Sequence, residues 1–171
     1  MAYYIPLRYF SVEEIFSPYV VSLHTRANSV DDQIWRLMDD RILRTIVDMR
    51  SHFGVPFYIN DYLFGGDMKQ RGYRHFLELV DITTLNNMLQ SDKISSIDQI
   101  KSTFSSFTSQ HCHGRAIDFT VQGFSAEEIR QDIKNNKTAT RYKYIAAVEN
   151  NVSWVHIDCR PWQGERLFFG D

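Results

Sequence analysis

Between Ser109 and Phe119 the chain reads SQHCHGRAIDF, which places two of its six histidines, a cysteine, an arginine and an aspartate around one glycine. Residues of these types support three readings. His111 and Asp118 could ligate a metal ion, Cys112 could be a nucleophile served by a neighbouring histidine, or the stretch could be a polar turn entering a strand. A catalytic zinc takes three protein ligands through nitrogen or carboxylate oxygen and keeps a fourth position for water. Asp118 follows His111 by seven residues, and His156 comes 38 residues after Asp118. That spacing suits a site on a sheet face, with a loop delivering one ligand and two neighbouring strands the others. Gly114 permits the turn, and Ala116 leaves space beside Asp118. For the thiol reading, adjacent residues in a loop or strand usually point apart. Spacing alone leaves all three readings open.

The elements that must position these residues can be read around them. RAIDFTVQ alternates as a strand in which Ala116 and Asp118 share one face, opposite Ile117 and Phe119. KYIAAVENNVSWVHIDCRPW reads as two apolar strands joined at Asn150 and Asn151, residues that tolerate the left-handed conformations of tight hairpins. Trp154, His156 and Asp158 then face one way. SVEEIF and SAEEIRQDIKNN both begin as capped helices, at Ser11 and at Ser125 with Glu128. Ile34, Met38, Ile42, Ile46, Met49 and Phe53 form one apolar stripe, predicting a continuous helix from Asp31 to Phe53. Ser29 can cap its start, and Gly54 with Pro56 ends it. VPFYIN predicts a short strand, residues 61–74 a loop, and residues 78–108 an insertion beside the site. Helices and strands without regular βαβ alternation predict an α+β fold, a small antiparallel sheet flanked by helices. The 171 residues are expected to form one domain, 1–171.

Composition narrows the function classes. A formal net charge of -2 argues against a broad nucleic-acid surface. No apolar run approaches the ~18 residues of a membrane span. The N-terminal MAYYIPLRYFSVEEIF lacks the pattern of a secretory signal, so a role outside the cytoplasm would need delivery by lysis, a pore or a particle. Two cysteines, Cys112 and Cys159, are too few for a disulfide framework and are expected to be buried thiols rather than a bridge. Gly65 and Gly66 lack the partners of a phosphate-binding loop, and His24, His52 and His75 stand alone.

SQHCHGRAIDF fits the pattern S-x-H-x-x-G-x-A-x-D at every fixed position, and WVHID fits a later W-x-H element. RGYR, ending at Arg74, precedes both. Together these elements resemble the zinc DD-peptidase family. That family includes D-Ala-D-Ala carboxypeptidases, L-alanyl-D-glutamate endopeptidases of phage endolysins and relatives with the hedgehog-type fold. The likeness is strongest to the carboxypeptidase-like C-terminal domain of phage and prophage proteins, and it spans roughly residues 30–160. The resemblance implies that His111, Asp118 and His156 bind Zn2+, that Ser109 supports the motif loop, and that Arg74 holds a carboxylate of the substrate. It implies a metallopeptidase acting on the stem peptides of bacterial peptidoglycan. It also implies a phage or prophage origin, with action on the cell wall after release or from the virion. A non-catalytic wall-binding or virion module on the same fold is the alternative.

The resemblance further places an acidic general base shortly before the last histidine. Glu149 is the nearest upstream carboxylate, but it lies seven residues before His156, against three to six in better-known members. With a two-residue turn at Asn150 and Asn151, Glu149 would sit ~13 Å along the strand from His156. A longer connection could bring it in. Asp158 shares the face of His156 at ~7 Å by the same rise. Its expected role is to orient a ligand or a basic neighbour. His113 is a third candidate beside the metal. Glu149 is taken as the base.

Overall fold

The computed structural model describes residues 9–26, 31–75, 78 and 109–170. The expected insertion at 78–108, apart from Glu78, and the expected cap Ser29 lie outside the described residues.

The fold is α+β, built on a five-stranded sheet in the order β1-β2-β4-β3-β5. Its strands are β1 (Phe57–Tyr58), β2 (Ala116–Val121), β3 (Ala147–Glu149), β4 (Val155–Asp158) and β5 (Leu167–Phe169). The helices are α1 (Val12–Ile15), α2 (Pro18–Arg26), α3 (Asp31–Ile34), α4 (Asp40–Phe53) and α5 (Ala126–Asn135). β1, β2, β4 and β3 pair antiparallel, whereas β5 runs parallel to β3. The sheet is therefore mixed rather than antiparallel. β5 returns to the outer edge through a connection from Cys159 to Arg166 instead of a hairpin, so it enters in the same direction as β3.

Alternation sorts the central strands into two faces. Ile117 and Phe119 of β2 and Val155 and Ile157 of β4 join the core with Ile15, Val20, Ile42, Ile46, Met49, Ile129 and Ile133 from the helices. Burying each such aliphatic side chain contributes roughly 1.5–3 kcal/mol. The opposite face presents Ala116, Asp118, His156 and Asp158, all buried. The register sets Asp118 against His156 and Ala116 against Asp158.

α5 starts as its sequence dictates. The Ser125 hydroxyl accepts from Glu128 N at 3.2 Å, and the Glu128 carboxylate accepts from Ser125 N at 2.7 Å. At α1 the Glu14 carboxylate likewise accepts from Ser11 N at 2.8 Å. The expected continuous helix from Asp31 to Phe53 is broken. α3 passes into a 3-10 turn at Trp35–Leu37, Met38 is extended, and Asp39 caps α4 by accepting from Arg41 N at 3.0 Å. Ile34, Met38, Ile42, Ile46 and Met49 are buried on both sides of the break, so one apolar stripe spans two helices. Gly54 ends α4 in the left-handed conformation at φ 68°. Among the described residues, no helix is long and apolar enough to cross a membrane.

Candidate metal centre

His111 is delivered by a 3-10 turn, Gln110–His113, that closes on Gly114 at φ 64°. A Cβ on Gly114 would lie 1.9 Å from the Leu37 carbonyl oxygen, so the site loop rests directly on the break before α4. The Gly114 carbonyl accepts from Asp39 N at 2.8 Å and fixes that contact. From the other side, residues 71–74 strap the loop to β2. Asp118 N donates to Arg71 O at 2.7 Å, and Arg74 N donates to His111 O at 3.3 Å.

These supports bring three donor atoms together. His111 Nε2 lies 3.3 Å from Asp118 Oδ1 and 3.4 Å from His156 Nδ1, and His156 Nδ1 lies 2.6 Å from the same Asp118 oxygen. Bonds of about 2.0–2.1 Å at tetrahedral angles would space ligand atoms about 3.3 Å apart, so two of the three edges already have the length a tetrahedral ion imposes. The short third edge is a hydrogen bond whose proton stands where a metal would share the two atoms. All three side chains are buried.

The outer partners fix which nitrogens are offered. His111 Nδ1 is 2.8 Å from the Gly72 carbonyl. A carbonyl can only accept, so Nδ1 carries the proton and Nε2 is free to ligate. His156 Nε2 lies 3.4 Å from Asp158 Oδ2, which leaves Nδ1 for a metal. Burial works against a charged His156 ring, but the carboxylates of Asp118 and Asp158 outweigh it and raise the group to about 9. Burial alone would raise the Asp118 carboxyl; the adjoining imidazoles of His111 and His156, the latter donating from Nδ1, reverse that and hold it well below the usual range. A buried His-Asp-His group with preset tautomers can bind a metal ion.

The cluster lines a cavity of about 370 Å3 that also includes Ser109, Arg74 and Glu149. Glu149 is brought in, contrary to the two-residue-turn geometry. β3 and β4 are joined by a five-residue connection, 150–154, and pair Ala147 with Asp158 and Val148 with Ile157. The same register carried one residue further sets Glu149 beside His156. Buried Arg130 of α5 holds this connection open by donating to Val152 O at 3.2 Å and Trp154 O at 3.0 Å. Asn151 does take a left-handed conformation, φ 57°, within the longer loop.

Arg74 reaches the site by its guanidinium, with Nε on Gln70 O and Nη2 on Asp118 Oδ2 at 3.0 Å. Asp158, fully buried, accepts from His156 and from Arg160 N and Nε, which places it against the His156 ring. His113 is exposed and does not line the cavity, so it is not brought to the site. Neither Cys112 nor Cys159 is in a disulfide; Cys159 is buried as expected and Cys112 only half-buried, and burial pushes both thiols upward, Cys159 to about 12. Neither lines the cavity, which leaves the thiol reading without a site.

Sequence reasoning missed Gln110, Arg160 and Phe169, all in the cavity wall. Arg160 had a signal: it lies two residues beyond Asp158, just past the strand. Phe169 had none, because it belongs to the parallel strand that no hairpin pattern announces. Compared with known proteins, the chain matches no family model, no curated protein and no solved structure.

Proposed function

We propose that the protein is a zinc-dependent peptidase that hydrolyses peptide bonds in peptidoglycan stem peptides. The observation that carries this reading is that Glu149 shares one cavity with the convergent donors of His111, Asp118 and His156. Two nitrogens and one carboxylate oxygen, with an accessible cavity beside them, are a donor set that suits zinc with a position left for water. The two motifs that resemble the zinc DD-peptidases supply the choice of metal and of substrate class. A bound zinc would polarise the scissile carbonyl and make water acidic near neutral pH.

The chain's own residues complete the chemistry. Glu149 accepts the proton of the attacking water and passes it to the leaving amine. Arg74, fastened by Nε and Nη2, keeps Asp118 oriented and offers its remaining edge to a substrate carboxylate. Phe169, whose ring is 5.7 Å from that of His156, walls the site against water.

The test combines metal content with digestion of purified peptidoglycan. The unmodified protein is expected to hold one zinc and release stem fragments. Glu149→Ala should keep the zinc and lose activity about 10²-fold or more, whereas His156→Ala should lose both. Bound zinc without released fragments from any wall type would sink the enzyme reading and leave the wall-binding or virion module.

A further inference from the structure

A row of alternating charges crosses the cavity floor and extends beyond the ligands. Arg74 meets Asp118, Asp118 meets His156, His156 meets Asp158, and Asp158 meets Arg160. The two ends are alike. Each arginine has Nε and Nη2 fastened, Arg74 to Gln70 O and Asp118, Arg160 to Asp158. Among the described residues, the Nη1 of neither makes a hydrogen bond, and their side chains are 28% and 29% exposed. They stand on different sides of the metal donors. Arg74 binds the β2 aspartate, while the Arg160 guanidinium carbon lies 5.1 Å from the ring of Phe169 on β5.

A guanidinium with one edge tied down has already lost most of its rotamer freedom, so capturing an anion with the other edge costs little more. Asp158 is not available as a ligand in its own right, being fully buried beneath Arg160. Asp118 and Asp158 each bind one of the two arginines and Glu149 lines the same cavity, so three carboxylates stand against two guanidiniums, and a divalent ion in place would turn the balance positive. The site then favours anionic ligands.

We propose that Arg160 is a second carboxylate-binding residue, and that the substrate is a peptide with two carboxylates, one met by Arg74 and the other by Arg160. This rests on the peptidase reading and narrows its substrate class. It gives Arg160 a contact with substrate in addition to its hold on Asp158.

The probe is N-acetyl-L-alanyl-γ-D-glutamyl-L-lysyl-D-alanyl-D-alanine, with carboxylates at its D-glutamate and its C-terminus, compared with its two mono-amides. Binding is measured by calorimetry on zinc-loaded Glu149→Gln protein, so that the peptides stay intact. Each amide is expected to bind about tenfold or more weakly than the di-acid. Adding Arg160→Gln should abolish the penalty for one amide and preserve it for the other. Retention of both penalties in Arg160→Gln, an amide that binds as well as the di-acid, or no binding of the di-acid overturns the proposal. Should that variant fold poorly or lose zinc, the unmutated zinc-loaded protein decides. The di-acid should shield Arg160 from phenylglyoxal and one mono-amide should not; equal modification of Arg160 with and without the di-acid overturns the assignment. The two readings fail separately. The peptidase reading fails through absent cleavage with this binding pattern intact, and the Arg160 assignment fails through cleavage of both mono-amides at the rate of the di-acid.

Discussion

Asp118 divides its two oxygens between two tasks: Oδ1 faces both histidine donor atoms, while Oδ2 is held by Arg74. That division keeps one oxygen aimed at the point where the donor atoms converge, whatever the other binds. A contrasting residue lies three positions past His156, just beyond the end of β4. Cys159 is 1% exposed, and burial pushes its thiol to about 12 from an ordinary 9. Its folded value is the higher one, so its contribution to stability is complete below about pH 9. That contribution falls as pH rises toward 12, because the unfolded chain loses the proton first. Denaturant midpoints measured from pH 8 to 10.5 should therefore decline, and Cys159→Val should flatten part of the decline. A variant whose decline matches the parent would show that Cys159 carries no such linkage. In the native protein at pH 8 the same thiol should resist alkylation.

At the scale of elements, the site depends on one close approach. The turn carrying His111 packs its glycine against the Leu37 carbonyl, where the first helical segment ends and Asp39 begins the next. Gly114→Ala adds a Cβ to a left-handed residue and drives it into backbone, so the loop or α4 must shift. We expect a loss of at least about 2 kcal/mol in denaturant unfolding, together with weakened zinc binding as His111 moves. Unchanged stability would mean that the loop does not rest there. The convergence of His111, Asp118 and His156 was legible because strand alternation and a turn glycine are local, and both survive folding. Glu149 was legible as a residue but not as a position. The length of its connection is set by Arg130, which reaches Val152 and Trp154 from another element. The break at Met38 was hidden because the apolar stripe runs through it, and periodicity reports the buried face rather than the caps. β5 was hidden because three half-buried residues pair in parallel with β3, which no neighbouring turn specifies.

Across the whole molecule, a metal would join parts of the chain that are distant in sequence, the loop and β2 around 111–118 and β4 at His156. Only the folded state brings these donors together, so zinc binding would add directly to folding stability. At a hundredfold excess over the dissociation constant the gain is about 2.7 kcal/mol. In the metal-free protein His156 is held at about 9 between two carboxylates, so near neutral pH its ring carries the proton that a metal must displace. Zinc and proton would therefore compete for the same nitrogen, and the stabilisation by zinc should grow as pH rises from 6 toward 9. Thermal unfolding with and without chelator, repeated across that range, should show a zinc-dependent rise in Tm that widens with pH. His156→Ala should abolish the rise at every pH while leaving a folded protein, since its removal also frees Asp158 to remain paired with Arg160. A Tm that ignores both zinc and chelator would mean that the three donors form a hydrogen-bonded cluster rather than a metal centre. A zinc effect that persists in His156→Ala would place the ion elsewhere.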